Sequence, residues 1–149
     1  MTDSFRIIGA SVEAETRAIA AVLAQDRYGR ILMQIRDDFA HVVAAGRWSI
    51  LGGAVEGGET LRQAARREFL EETGIALDPG ALTPLARFAS QSVPGDVIYV
   101  FATSRVIDPA EIRLSEGAGF CFLTRAQAEV YPVIPNMRLM LREMPEIGR

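Results

Sequence analysis

The sequence predicts an α/β domain in which a mixed β-sheet is covered by helices, and three features carry that expectation. Six short apolar runs, bounded by turn residues and several of them rich in β-branched or aromatic side chains, are spread along the chain. One central segment, residues 60–74, has helix signals at both ends. A capped segment and an amphipathic stretch close the chain, so strands dominate and helices fall in the middle and at the end.

The first two runs, "RAIAAVLAQ" and "ILMQIR", flank "DRYGR" and read as a hairpin closed by a glycine turn. The alanines of "AIAAVLA" would also suit a helix, but the turn residues and β-branched flanks favour strands. "RWSIL" is a third short strand that runs into Gly52 and Gly53. Thr60 then starts a helix: its hydroxyl can cap the first turn, Gln63 can reach back to it, and Gly74 stands where a left-handed residue would stop it. "LTPLARFAS" and "VIYVFATS" form a second hairpin across "QSVPGD", and "GFCFL" forms a last strand. Thr124 and Gln127 repeat the capping pattern, and "PNMRLMLREM" ends the chain as an amphipathic helix.

Composition bounds what such a domain does. The 149 residues fit one domain, 1–149, able to bury about 68 to 70% of its unfolded surface, and no repeat or Pro/Ser-rich linker divides it. With 49% hydrophobic residues, 23% charged residues and a net charge of -3, the chain is unlike a disordered one, and it has no basic stripe to meet nucleic acid. Cys121 is the one cysteine, so no internal disulfide can form, and in "GFCFL" it reads as a small buried hydrophobe. The N-terminus lacks the head and core of a signal peptide, and no run reaches the roughly 18 apolar residues of a membrane span, which points to a cytoplasmic protein without a membrane partner. The apolar first hairpin and last helix suit a homodimer contact as well as they suit a core.

The chemistry is concentrated in "GGAVEGGETLRQAARREFLEETGI", residues 52–75. On a wheel of about 100° per residue, Leu61, Ala65 and Phe69 share an apolar stripe about 80° wide, and Glu68, Glu71 and Glu72 fill the neighbouring arc. Like charges at this spacing repel, more strongly where a packed face excludes water, so something positive must offset them. Hard divalent cations suit carboxylate oxygens, and Mg²⁺ keeps waters that phosphate oxygens can replace. The preceding glycines let backbone groups approach a metal or phosphate where a Cβ would obstruct, and Arg67 can fix neighbouring Glu68 by bidentate hydrogen bonds. The ordinary account of Arg and Glu mixed on a helix is a solvated face laced with salt bridges.

Spacing decides between the two. Gly53, five residues, Glu59, seven residues, then Arg67-Glu68-Phe69-Leu70-Glu71-Glu72-Thr73-Gly74-Ile75 reproduces the box of the Nudix hydrolases at every fixed letter, and over these 23 residues the chain resembles that family. At a frequency of about 7% per fixed letter, a chance match arises on the order of once in 10⁸ positions. The resemblance implies the Nudix fold, an α/β/α sandwich on a mixed sheet. It also implies hydrolysis of a nucleoside diphosphate linked to another moiety X, by a metal-activated water attacking phosphorus.

With the resemblance come Mg²⁺ or Mn²⁺ as cofactor, Glu68, Glu71 and Glu72 as ligand carboxylates, and Gly52 as a carbonyl ligand. It implies a catalytic set of Glu68, Arg67 and Glu71, with Glu68 or a nearby acid as general base and Arg67 orienting Glu68, while Glu59 braces the loop. Members of the family often recruit a further acid from a later loop. Among Asp96, Asp108, Glu111 and Glu116, the expectation falls on Glu116, beside two glycines in "LSEGAGF".

The substrate is less sharply written. Relatives acting on ADP-ribose or dinucleoside polyphosphates tend to carry a proline or tyrosine about 15 to 17 residues after the box. Here positions 90–92 read Ser-Gln-Ser and Pro94 comes late, which favours nucleoside triphosphates or nucleotide sugars. In "RDDFAHVVAAGRW", expected to face the substrate, Arg36 can meet phosphate, Asp37 or Asp38 a base or sugar, and Trp48 a ring by stacking. Each has an ordinary reading too: Trp48 as core, Arg36 with the aspartates as a surface turn, and His41 as polar surface. Tyr99 and Phe101 share a strand face and read as packing. The alternative to an enzyme is a non-catalytic nucleotide-binding regulatory domain, which would favour a degraded box, and this box is intact.

Overall fold

The computed structural model describes residues 4–10, 14–35, 46–113 and 119–147. Its strands are β1 (Arg6–Ile7), β2 (Arg17–Gln25), β3 (Ile31–Ile35), β4 (Trp48–Ser49), β5 (Leu51–Ala54), β6 (Leu82–Ala89), β7 (Asp96–Val106) and β8 (Gly119–Leu123). Its helices are α1 (Leu61–Thr73), α2 (Arg125–Val130) and α3 (Pro135–Glu143). The strands lie in the order β1-β6-β7-β2-β3-β4, with β5 also on β2 and β8 also on β3.

β2 is the centre of this sheet. It pairs with β7 in parallel and β5 in antiparallel, which makes the sheet mixed. Every side chain from Ala20 to Ala24 is at most 3% exposed, because both faces of the strand are covered. Alternation sends Ala20, Val22 and Ala24 to one face and Ala21 and Leu23 to the other. On the first face they meet Ala64, Ala65 and Phe69 of α1; on the second, Ala128 of α2 and Met137, Met140 and Leu141 of α3. The result is an α/β/α sandwich. The alanines that made a helix conceivable in "AIAAVLA" serve instead to let α1, itself alanine-lined, approach the sheet closely.

The second expected hairpin forms in full, β6 against β7 from Leu82↔Thr103 to Ala89↔Val97, with a register shift beside Pro84, which has no N–H to give to the ladder. The first is joined only at its tip, Gln25↔Ile31. There Asp26 Oδ1 accepts the N–H groups of Tyr28 and Arg30, both at 2.9 Å, and Oδ2 accepts from Arg30 Nε at 2.7 Å. Beyond the tip the strands part, because residues 48–54 cross between them: β4 pairs with β3, and β5 with β2. β3 takes β8 as well, from Ile31↔Leu123 to Ile35↔Gly119.

Phe5 stands edge-on to Tyr99 and Phe101, at 5.2 and 5.1 Å between ring centres, so that face of β7 is packed. Cys121 packs beside the α3-side core, where burial pushes its thiol up to about 11 and keeps it protonated at neutral pH. No helix among the described residues is long and apolar enough to cross a membrane.

Candidate active site

α1 is fixed at both ends by its own sequence. Thr60 Oγ1 accepts from Gln63 N at 3.1 Å while Gln63 Oε1 accepts from Thr60 N at 2.9 Å, and Gly74, at φ 76°, donates to Leu70 O at 2.8 Å. The apolar side of the helix then sets the direction of its acids. Glu72 is carried under the helix and is 3% exposed, Glu71 points outward, and Glu68 lies between them.

β5 runs beneath Glu68, and both of its glycines are required by contacts. A Cβ on Gly53 would stand 2.3 Å from Glu68 Cδ and 2.4 and 2.5 Å from its oxygens, so the carboxylate rests directly on the glycine. A Cβ on Gly52 would stand 2.5 Å from Ala20 O and 2.7 Å from Ala21 Cα, so this glycine lets β5 press against β2. The close approach expected of the glycines is thus made by a helix carboxylate and by a neighbouring strand. Val55 N donates to Ala18 O, and the alternation of an antiparallel pair then turns the carbonyls of Gly52 and Ala54 away from β2. Ala54 O accepts from Arg67 Nη2 at 3.1 Å at that edge.

Arg67 is the hub of the acids. Its Nε and Nη2 donate to the two oxygens of Glu59 at 2.7 and 2.9 Å, and Nη1 donates to Glu68 Oε1 at 2.8 Å and more distantly, at 3.4 Å, to Glu71. Glu56 stands 3.7 Å from the same nitrogen. Glu59 also accepts from Glu56 N at 2.9 Å, which ties the glycine loop to the helix. One guanidinium thus faces four carboxylates, which offsets part of their repulsion and leaves the cluster negative.

The hydrogen bonds from Arg67 hold the Glu59 carboxyl down at about 2, against an ordinary 4.5, and the guanidinium is raised in turn, first by Glu59. A carboxyl lowered on folding contributes stability that is present above its unfolded value and lost as pH falls toward the folded one. Glu59→Gln is therefore expected to lower the melting temperature at neutral pH and to flatten its fall between pH 4.5 and about 2. Melting curves of both proteins across that range check this; two parallel acid limbs would show that the pairing contributes nothing.

Among the described residues no three carboxylate, imidazole or thiol groups converge as a finished metal cage. The donors nevertheless suit a hard divalent cation: they are oxygens, they carry surplus negative charge, and Glu68 lies in a cradle that any Cβ at position 53 would fill. Buried beside Glu72, Gln34 Nε2 donates to Glu72 Oε2 at 3.4 Å, and Gln34 Oε1 has no partner among the described residues.

On the opposite face of the sheet a cavity of about 250 Å³ reaches the same glycines. Apolar side chains including Ile19, Phe88 and Met137 wall it, and Arg17, Ser90, Asp96 and Asn136 supply polar groups. Arg17 and Asp96 are register partners on β2 and β7, joined by Nε to Oδ1 at 3.1 Å and Nη2 to Oδ2 at 2.6 Å. Asn136 is anchored at the start of α3 by donating to Ala89 O. Apolar walls with a few fixed polar groups are the make-up of a small-molecule site.

Of the residues singled out in the sequence, Arg67, Glu68 and Glu71 are joined through the guanidinium, while Glu72, on the same helix, meets Gln34, and Gly52 stands on β5 against β2. Trp48 is half-buried against the α3-side core, and its neighbours Ser49 and Ile50 line the cavity. Arg36, Asp37, Asp38, His41 and Glu116 lie outside the described residues. Gln34 and the Arg17–Asp96 pair were not anticipated; the one signal for Gln34 was an amide inside the apolar run "ILMQI".

The chain matches the NUDIX domain family model over residues 14–144. An oxidized purine nucleoside triphosphate hydrolase of Danio rerio is 46% identical over 50 residues, 34% of this chain and 30% of that protein. The nucleoside triphosphatase NudI of Enterobacter sp. (strain 638) is 36% identical over 70 residues, 47% of this chain and 48% of that one. The chain therefore spans less than half the length of either relative. The crystal structure of a MutT protein from Methanosarcina mazei Go1 superposes with a TM-score of 0.75 over 91% of this chain and 97% of that one, at 22% identity, which is a likeness of fold.

Proposed function

Because the chain belongs to the Nudix hydrolase family, we propose that it hydrolyses a pyrophosphate linkage in a nucleoside triphosphate with the help of Mg²⁺ or Mn²⁺. The observation that carries this is the seat of Glu68, a carboxylate resting on Gly53, fixed by Arg67 and set beside the outward edge of β5. The choice of a triphosphate is supported by the relatives, whose names specify hydrolysis of nucleoside triphosphates.

Glu68, Glu71, Glu72 and the Gly52 carbonyl would hold the cation. When bound, a divalent ion neutralises phosphate oxygens and makes a coordinated water more acidic. Glu68 takes the proton of the attacking water, and Arg67, itself tied down by Glu59 and by Ala54 O, keeps that carboxylate aimed. The cavity behind β5 receives the nucleoside, so that the phosphates extend past Gly52 and Gly53 toward α1.

A panel of nucleoside triphosphates and nucleotide sugars, incubated with and without Mg²⁺ or Mn²⁺ and analysed for products, tests this reading. Metal-dependent turnover of one or more triphosphates is expected, and the products identify the bond cut. Nucleotide binding without hydrolysis under any metal would replace the enzyme with a regulatory binding domain.

A further inference from the structure

Gln34 sits in the wrong place for an ordinary core residue. It lies on β3, in register with Ser49 of β4 and Phe120 of β8, and is 7% exposed. Leu32, two residues earlier on the same strand, belongs to the core beneath α1, so Gln34 faces α1 as well. Its neighbours in "ILMQI" are apolar, and a leucine or methionine would complete that face. Instead an amide is buried there with only half of its polar groups used: Nε2 reaches Glu72 Oε2, while Oε1 is enclosed with no hydrogen-bond partner among the described residues.

A buried acceptor left unpaired is a cost to folding, and in a native structure it calls for a cause. Coordinated carboxylates are commonly held by outer hydrogen bonds, and loss of such a bond weakens metal affinity by about 10- to 100-fold. The orphaned atom is an oxygen, on the residue that touches the innermost acid of the cluster.

We propose that Gln34 is a positioning residue for the metal site, its N–H group holding Glu72 and its Oε1 accepting a hydrogen bond from a hydration water of the bound divalent cation. The proposal rests on the reading of Glu72 as a ligand. An apolar side chain there removes both interactions, so metal affinity is the quantity that reports on the role.

Mn²⁺ is the probe, its binding followed by electron paramagnetic resonance and by water-proton relaxation, which senses waters on the bound ion. Gln34→Leu and Gln34→Met are expected to bind Mn²⁺ about 10-fold more weakly or worse, with altered relaxation of the ion that remains bound. Their metal-free melting curves establish that each variant is folded before the metal is added. Should Gln34→Leu fail to fold, Gln34→Met decides the matter. Mn²⁺ affinity within twofold of wild type in the folded variant, while Glu72→Gln binds weakly, would overturn the role of Gln34 and leave the metal reading intact. Unchanged affinity in Glu72→Gln as well would remove that reading, and the proposal with it.

Discussion

Glu68→Gln is expected to turn over nucleoside triphosphate about 10² to 10⁴ times more slowly than the natural chain, a loss of roughly 3 to 5 kcal/mol of transition-state stabilisation. The amide keeps the size of the side chain and can still accept from Arg67 Nη1, so the seat on Gly53 survives and the melting temperature stays close to that of the natural chain. What disappears is a group able to take a proton and a negative charge to hold a cation. The effect should appear in kcat as well as in kcat/KM, because the interaction matters most as the water attacks. Equal rates for the two proteins would take Glu68 out of the mechanism and move the base to another acid.

Gly53→Ala reaches the same carboxylate from below. The new methyl would lie 2.3 Å from Glu68 Cδ, closer than any real contact, so either Glu68 leaves its seat or β5 moves. The expected outcome is a loss of activity of 10²-fold or more, with a stability cost of about 1 to 3 kcal/mol, the usual range for overpacking. The control is nearby: a Cβ on Gly57, in the same loop, meets nothing within 4 Å, so Gly57→Ala should retain ordinary rates and stability. If Gly53→Ala were as active as Gly57→Ala, the position of the carboxylate over β5 would not matter to the reaction.

The parts of this site that the sequence made legible are those settled by local geometry. Thr60, Gln63 and Gly74 cap α1 through hydrogen bonds that each span at most four residues, and the spacing of the box places Glu68, Glu71 and Glu72 on one helix. The second hairpin was legible for the same reason, since one short loop joins its strands. The first was legible only at its tip. Which strands flank β2 is decided by residues 48–54 and by β7, far along the chain, and no local pattern carries that pairing.

The same limit hid Gln34 and Arg17. Gln34 meets Glu72 across 38 residues and Arg17 meets Asp96 across 79, so each was an unremarkable polar residue until the sheet brought its partner to it. The glycines were recognised as places of close approach, but a Cβ at Gly53 is excluded by Glu68, and one at Gly52 by β2, and both contacts depend on the finished fold. The offset to the acids is shared in the finished fold. A cation was expected to relieve the repulsion among them, and Arg67 already provides a share, while its single charge against Glu56, Glu59, Glu68 and Glu71 leaves an excess for a metal to neutralise.

That excess is open to direct measurement. Calorimetric titration of the metal-free chain with Mg²⁺, repeated on a variant carrying Glu68→Gln, Glu71→Gln and Glu72→Gln together, compares the cluster with and without its charges. Saturable binding to the natural chain that is lost in the triple variant is the predicted result. Identical isotherms from the two proteins, with both folded, would contradict the assignment of these acids to a metal.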